Sequence, residues 1–260
     1  MNAFIFLHVP KTAGTTLRAI IERQYAAREV LTVYDGTQDH HSQHDLTNLS
    51  IEKQREIKAY CGHFPFGAHR HLEGKQKYIT MLRDPVERVI SYYHHAMTLT
   101  PRWRKQPISL VKFVEERNDI QVNNLQSRLL SGMDKPFRKC PDDMLWVAID
   151  NIERHFAAVG VSESFDESLA LISDKLSWQA PYYVRENVSK GKPNLDYYAN
   201  SELDVVRNYN SFDAALYAYA SRRLRQAVRK AGEGFPQRVE HFQKANEHAQ
   251  ASLTARAVWT

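Results

Sequence analysis

Cysteine is scarce in this chain: Cys61 and Cys140 are the only two among 260 residues. Two thiols cannot build a disulfide framework, so reduced cysteines in a cytoplasmic setting are the expectation, although the count is still compatible with one bridge. Glycine and proline are sparse as well, with 10 of each, and they do not gather into linkers or low-complexity tracts. No apolar run approaches the roughly 20 residues of a membrane span. Residues 2–9 lack the basic start and the length of a signal peptide, so a protein without a membrane span or export signal is expected. Both glycine-rich nucleotide signatures, G-x-G-x-x-G and G-x-x-x-x-G-K-[ST], are missing. Charge of one sign is not segregated either. The 35 basic and 30 acidic residues give a formal charge of +5 and a pI near 9.1, yet they alternate along the chain and form no tails. That balance suits a small anionic ligand better than nucleic acid.

What is present is a 43% hydrophobic chain, long enough for one large α/β domain over residues 1–260. "AFIFLHV" (residues 3–9) is a continuous apolar run of strand length, and its lack of alternation predicts a strand covered on both faces. Further strands are predicted at residues 30–34, 58–62, 78–82 and 157–161, with helical patterns between or after them. Alternation of this kind predicts a central parallel sheet flanked by helices. Asp84, Pro85 and Glu87 supply a cap, a first-turn proline and a capping-box acid, and Ser164 with Glu167 repeats the box. From about residue 200 the chain turns helical and basic, with a long amphipathic helix over residues 213–231.

The stretch "HVPKTAGTT" lies between the first strand and a helix whose apolar positions are Leu17, Ile20, Ile21 and Tyr25. Such a turn, at the carboxyl end of a buried strand, presents unpaired backbone N–H groups and the positive end of a helix. Gly14 lets the backbone approach closely, Thr15 and Thr16 add hydroxyls, and Lys11 adds a full positive charge. A phosphate or a sulfate is the expected guest; an ordinary turn with a surface lysine is the competing reading. In "YITMLRDPVERVISYYHHA" a second strand-to-helix junction carries Arg83, Arg88 and Ser91. Arg83 has the planar fork for a phosphate and Ser91 a hydroxyl on the helix, whereas surface salt bridges of Arg83 and Arg88 with Asp84 and Glu87 are the plainer alternative. Two anion loops on one sheet point to a ligand with separated phosphates.

These two stretches resemble the 5′-phosphosulfate loop and the 3′-phosphate motif of sulfotransferases that use 3′-phosphoadenosine 5′-phosphosulfate (PAPS). The likeness is strongest to carbohydrate enzymes of the heparan sulfate 2-O- and 6-O-sulfotransferase type and their bacterial relatives. It runs on through "NNLQSRLLSG", "AAVGVSESFDESLALI" and "ENVSKGKP" to "LYAYASRRL". The resemblance implies a P-loop-like α/β fold and transfer of a sulfuryl group to an acceptor hydroxyl, with 3′,5′-adenosine bisphosphate as product. It also implies a loop of Lys11, Thr12, Ala13, Gly14, Thr15 and Thr16 around the 5′ end, Arg83 and Ser91 at the 3′-phosphate, and Ser189, Lys190 and Lys192 closing over the nucleotide. Ala13 departs from the glycine common in such loops, a change expected to be tolerated if that backbone position does not need a positive φ.

Sulfuryl transfer builds charge on the bridging oxygen, which Lys11 would neutralise, and it requires a base for the acceptor hydroxyl. Histidine suits that task near neutral pH. His63, in "YCGHFPFGAH", leaves a predicted strand and resembles the catalytic histidine segment of the 2-O type. His8, inside the first strand, reads as structural; His94 and His95 end the second motif's helix. His40, His41 and His44 have no cysteine or carboxylate cluster to complete a metal site, and none is expected. For the acceptor, His69 and Arg70 in "HRHLEGKQK" and Arg102, Trp103 and Arg104 in "TPRWRKQP" are expected at the cleft mouth, where cations and an aromatic face suit an acidic sugar chain. The alternatives are an atypical nucleotide-dependent kinase and a non-catalytic module for polyanions.

Overall fold

The computed structural model describes residues 3–34, 46–179, 182–183 and 194–257, with side chains up to residue 247. Its centre is a sheet of β1 (Phe4–Leu7), β2 (Val30–Val33), β3 (Ala59–Gly62), β4 (Lys77–Leu82) and β5 (Phe156–Val161). The order is β2-β3-β1-β4-β5, and every pairing is parallel. Each strand lies within two residues of the apolar run that predicts it.

The unbroken apolar run of β1 follows from its central place. Phe4 aligns with Ala59 on one side and Lys77 on the other, and side chains alternate between two separate cores. Phe4 and Phe6 join Leu17, Ile20 and Ile21 of α1 (Gly14–Gln24), together with Leu169, Ile172 and Leu176 from further along the chain. Ile5 and Leu7 join Tyr60, Tyr78, Ala148, Ile152, Leu216 and Ala220 on the other face. Full burial of each large apolar side chain contributes about 1.5–3 kcal/mol, so both faces hold the sheet.

Further helices among the described residues are α2 (Ile51–Glu56), α3 (Pro85–Leu99), α4 (Pro101–Lys105), α5 (Leu110–Glu115) and α6 (Leu125–Ser131). They continue with α7 (Met144–His155), α8 (Phe165–Leu176), α9 (Asn200–Asn208), α10 (Ser211–Lys230) and α11 (Gly234–Ala257). Helices α3, α5 and α9 share a third core around Val89, Ile90, Phe113 and Val206.

Two cap assignments change in detail. Asp84 caps α3, its carboxylate accepting from the N–H groups of Val86 and Glu87 at 3.0 Å. The N–H of Asp84 itself donates to Glu163 from beyond β5 at 3.1 Å, while Glu87 takes Arg83 instead. Ser164 is the cap residue of α8 but makes no side-chain cap bond, because a 3-10 turn over Ser162–Ser164 leads straight into the helix. The surface pairing considered for Arg88 is overturned: its side chain is fully buried and donates to the carbonyl of Gln121. Residues 85–90 of α3 are nearly all covered, so the arginine has no route to solvent.

Candidate functional site

In a parallel sheet the carboxyl ends of all strands open on one edge. The residues that follow the five strands are His8, Tyr34, His63, Arg83 and Ser162, and all but Tyr34 line a cleft of about 1320 Å³. Tyr34 backs it, its hydroxyl 2.7 Å from Nδ1 of His8.

The first anion loop forms one wall. Lys11 and Ala13 both adopt left-handed backbone, with φ of 69° and 63°, the conformation from which anion-binding backbone concavities are built. Ala13 therefore occupies a position that does require positive φ, contrary to the condition on which the alanine was expected to be free of cost; the strain is about 1 kcal/mol. Gly14 is needed for a different reason: a Cβ there would lie 2.0 Å from the His8 ring. Lys11, Ala13, Gly14, Thr15 and Thr16 line the cleft. Thr12 does not, because its buried hydroxyl donates to the carbonyl of Val9 at 2.8 Å and ties the loop to the strand.

The second loop faces the first across the same cleft. The Arg83 guanidinium donates to the carbonyl of Lys11 at 3.3 Å and to Glu87 at 3.0 Å. Ser91, largely buried on α3, lines the cleft beside it. The backbone of Arg83 is held at both ends by Gln126, which accepts from its N–H at 3.0 Å and donates to its carbonyl at 2.9 Å. Gln126 is fixed in turn by fully buried Asp213 of α10. That carboxylate accepts from the N–H groups of Gln126 and Ser127 at 3.0 and 2.7 Å and from the Ser127 hydroxyl at 2.7 Å. This clamp was not foreseen, although the polar run "NNLQS" marks where it is built.

His63 is exposed to the cleft, with its ring centroid 4.6 Å from those of both His8 and Tyr34. His8, by contrast, is buried, and that burial, with a smaller contribution from His63, holds its pKa well below the usual histidine value. Among the other histidines, His95 lines the cleft, and burial first and Lys11 second lower its pKa. His94 is engaged with the Tyr198 hydroxyl.

The residues expected for the acceptor are not among those that line this cleft. His69 lies 2.9 Å from the hydroxyl of Tyr78, near the amino end of β4, and packs on His155; neither it nor exposed Arg70 lines the cleft. Trp103 packs edge-on to Phe113 and has the Arg117 guanidinium 4.6 Å from its ring centre, so that face is already covered. Arg102 and Arg104, on α4, are exposed but outside the cleft lining. Ser189, Lys190 and Lys192, like His40, His41 and His44, lie outside the described residues. The cleft instead has a wall that was not anticipated, made of Glu163, Phe165, Asp166, Glu167, Tyr183 and Gln243. Among the described residues no helix is long and apolar enough to cross a membrane.

Comparison with known proteins agrees with the two loops. A family model described as galactose-3-O-sulfotransferase matches residues 1–258. Galactose-3-O-sulfotransferase 3 of Mus musculus is 27% identical over 91% of this chain and 59% of its own length. Galactosylceramide sulfotransferase of Mus musculus is 23% identical over 94% and 62%. The chain thus spans about three fifths of the length of the curated relatives it matches. A crystal structure of a mouse sulfotransferase complexed with PAP covers 82% of this chain and 65% of its own at 14% identity, with a TM-score of 0.41, a likeness too distant to bear on the site. The matched family takes its name from galactose, not from heparan sulfate, the type to which the loops were expected to be nearest; residues that hold a donor carry no information about the acceptor.

Proposed function

This chain belongs to the galactose-3-O-sulfotransferase family, and from that premise we propose that it transfers a sulfuryl group from PAPS to a carbohydrate hydroxyl, with a 3-hydroxyl of galactose as the acceptor. The observation that carries the reading is the junction of the two anion loops: Arg83 spans from the carbonyl of Lys11 to Glu87, within one cleft that also holds His63. A donor with a phosphate at each end of a nucleoside fits two such loops. ATP has no 3′-phosphate for Arg83 and Ser91 to read, which weighs against a kinase, and a polyanion module has no need of a buried clamp behind one arginine.

The residues divide the work. The N–H groups of the loop, with Thr15 and Thr16, hold the 5′-phosphate against the first turn of α1. When bound, PAPS supplies the sulfuryl group on a phosphosulfate anhydride. Lys11 places its charge where the leaving oxygen becomes anionic, an interaction stronger in the transition state than in the ground state. His63, reaching the cleft from the end of β3, accepts the proton of the acceptor hydroxyl. His8 is unsuited to that task, being buried with Nδ1 engaged by Tyr34.

The test is incubation with sulfur-labelled PAPS and a panel of galactose-terminated oligosaccharides, heparan sulfate fragments and simple phenols, with labelled ATP as a control. Label transferred to the galactosides supports the proposal; transfer confined to heparan sulfate or phenols would overturn the acceptor, and turnover of ATP alone would overturn the reaction.

A further inference from the structure

One wall of the cleft is used by neither anion loop nor by His63. Phe165 and Tyr183 meet edge to face there, with ring centroids 4.9 Å apart. Asp166, buried at the start of α8, accepts from the Tyr183 hydroxyl at 2.6 Å and from Nε2 of Gln243 at 2.8 Å. A carboxylate can only accept, so it fixes the direction of the Gln243 amide: Nε2 turns to Asp166, and Oε1 is the end left over. Gln243 arrives from α11, whose Asn246 accepts from the N–H of Tyr183 at 2.9 Å and whose Phe235 and Val239 pack on Ala170 of α8. The last helix therefore completes the cleft.

Aromatic surface beside an acceptor of fixed direction is the chemistry of a nucleobase site that reads an exocyclic amine. Resting on the reading that the cleft takes PAPS, we infer that Gln243, oriented by Asp166, recognises the 6-amino group of the adenine, so that α11 sets the base specificity of the donor. Adenine offers Oε1 a donor at that place, and cytosine offers one on its 4-amino group. Guanine and uracil present a carbonyl oxygen instead, which would meet Oε1 lone pair against lone pair. A site built for a hydrogen bond rejects the analogue that cannot make it, because its own polar group is left unpaired.

The experiment is titration calorimetry of the full chain with the 3′,5′-bisphosphates of adenosine, cytidine, guanosine and uridine. The wild type should bind the adenosine compound at least about tenfold tighter than the guanosine one. Gln243→Leu, at an exposed position, should keep the fold, judged by its melting temperature, and remove most of that preference. Asp166→Asn can donate to Oε1 of Gln243 and turn Nε2 into the cleft, so its preference should move toward guanosine, an outcome that loss of packing would not produce. A wild type that binds adenosine and guanosine bisphosphates equally, or a Gln243→Leu variant with unchanged preference, would overturn the inference and leave the cofactor reading intact. A wild type that binds none of the four would overturn both.

Discussion

Nδ1 of His8 lies 2.7 Å from the hydroxyl of Tyr34, and the two rings stand edge to face beside His63. Three aromatic rings from the ends of three strands thus form one cluster in which only His63 is exposed. The arrangement separates a base from its support. His63→Ala should lower kcat by about 100-fold or more while leaving the affinity for 3′,5′-adenosine bisphosphate unchanged. Tyr34→Phe should have a smaller effect on kcat. Single-turnover rates together with calorimetry check both, and full activity in the His63 variant would move the base elsewhere.

The same cluster gives stability a pH dependence. Burial depresses the pKa of His8 in the folded chain, with Lys11, Arg18 and His63 as the cationic groups around it. Above the unfolded value of about 6.5 both states are neutral and nothing is lost. As pH falls below that value the unfolded chain takes up a proton that the folded chain resists, so stability declines with falling pH. His69, His95 and His155 shift the same way and add to the slope. The melting temperature should drop between pH 7 and pH 5, and His8→Gln should flatten part of that drop. An identical slope in the variant would remove His8 from the account.

Adjacent loop positions should respond to substitution with opposite signs. Ala13 has a φ of 63°, so Ala13→Gly should stabilise the chain by roughly 0.5 kcal/mol, the relief of left-handed strain being offset in part by the greater freedom of glycine when unfolded. Gly14→Ala drives a Cβ to within 2.0 Å of the His8 ring and should destabilise by about 1–3 kcal/mol. Urea denaturation of the two variants decides the matter.

How much of this was legible beforehand differs by kind of information. The strands were, because continuous apolar runs bounded by turns mark β1 and its neighbours directly, and the sheet brings Lys11 and Arg83 together because both follow central parallel strands. The φ of Ala13 was not, since a single dihedral is set by the loop's closure against β1. The distance of His69 from the cleft was hidden because nearness in sequence is not nearness in space: His69 is six residues from His63, yet the chain between them folds back toward Tyr78. Burial of Arg88 was hidden because α3 is covered by both α5 and α9, which a single amphipathic stripe does not announce. Gln243 was out of reach for another reason, its partner Asp166 lying 77 residues away.

Arg83 should read the 3′-phosphate. Arg83→Ala should weaken 3′,5′-adenosine bisphosphate by about 2 kcal/mol, the usual loss for a charge-assisted bond, and leave 5′-AMP almost unaffected. Melting shifts with the two nucleotides measure the difference. Equal losses for both ligands would mean that Arg83 supports the loop through the carbonyl of Lys11 and does not contact the phosphate.

The last prediction tests the clamp behind that arginine. Asp213 is fully buried, and burial raises its pKa while Arg88 and the N–H groups it accepts oppose the shift. Arg88, equally buried, is pushed down to about 10 by desolvation, so each group offsets part of the cost of burying the other. Asp213→Asn keeps the shape but replaces one acceptor oxygen with an amide that cannot accept from the N–H groups of Gln126 or Ser127. It also removes the larger of the two carboxylate charges that compensate Arg88, leaving only the weaker one of Asp119. The variant should lose about 3–5 kcal/mol of stability. Because Gln126 holds the backbone of Arg83 on both sides, the molecules that remain folded should also bind the 3′-phosphate more weakly while 5′-AMP binds as before. Gln126→Ala breaks the same link without burying an unpaired charge, so it should reproduce the binding loss at a smaller cost in stability. If calorimetry on Gln126→Ala shows unaltered selectivity for the 3′-phosphate, the clamp serves the fold alone.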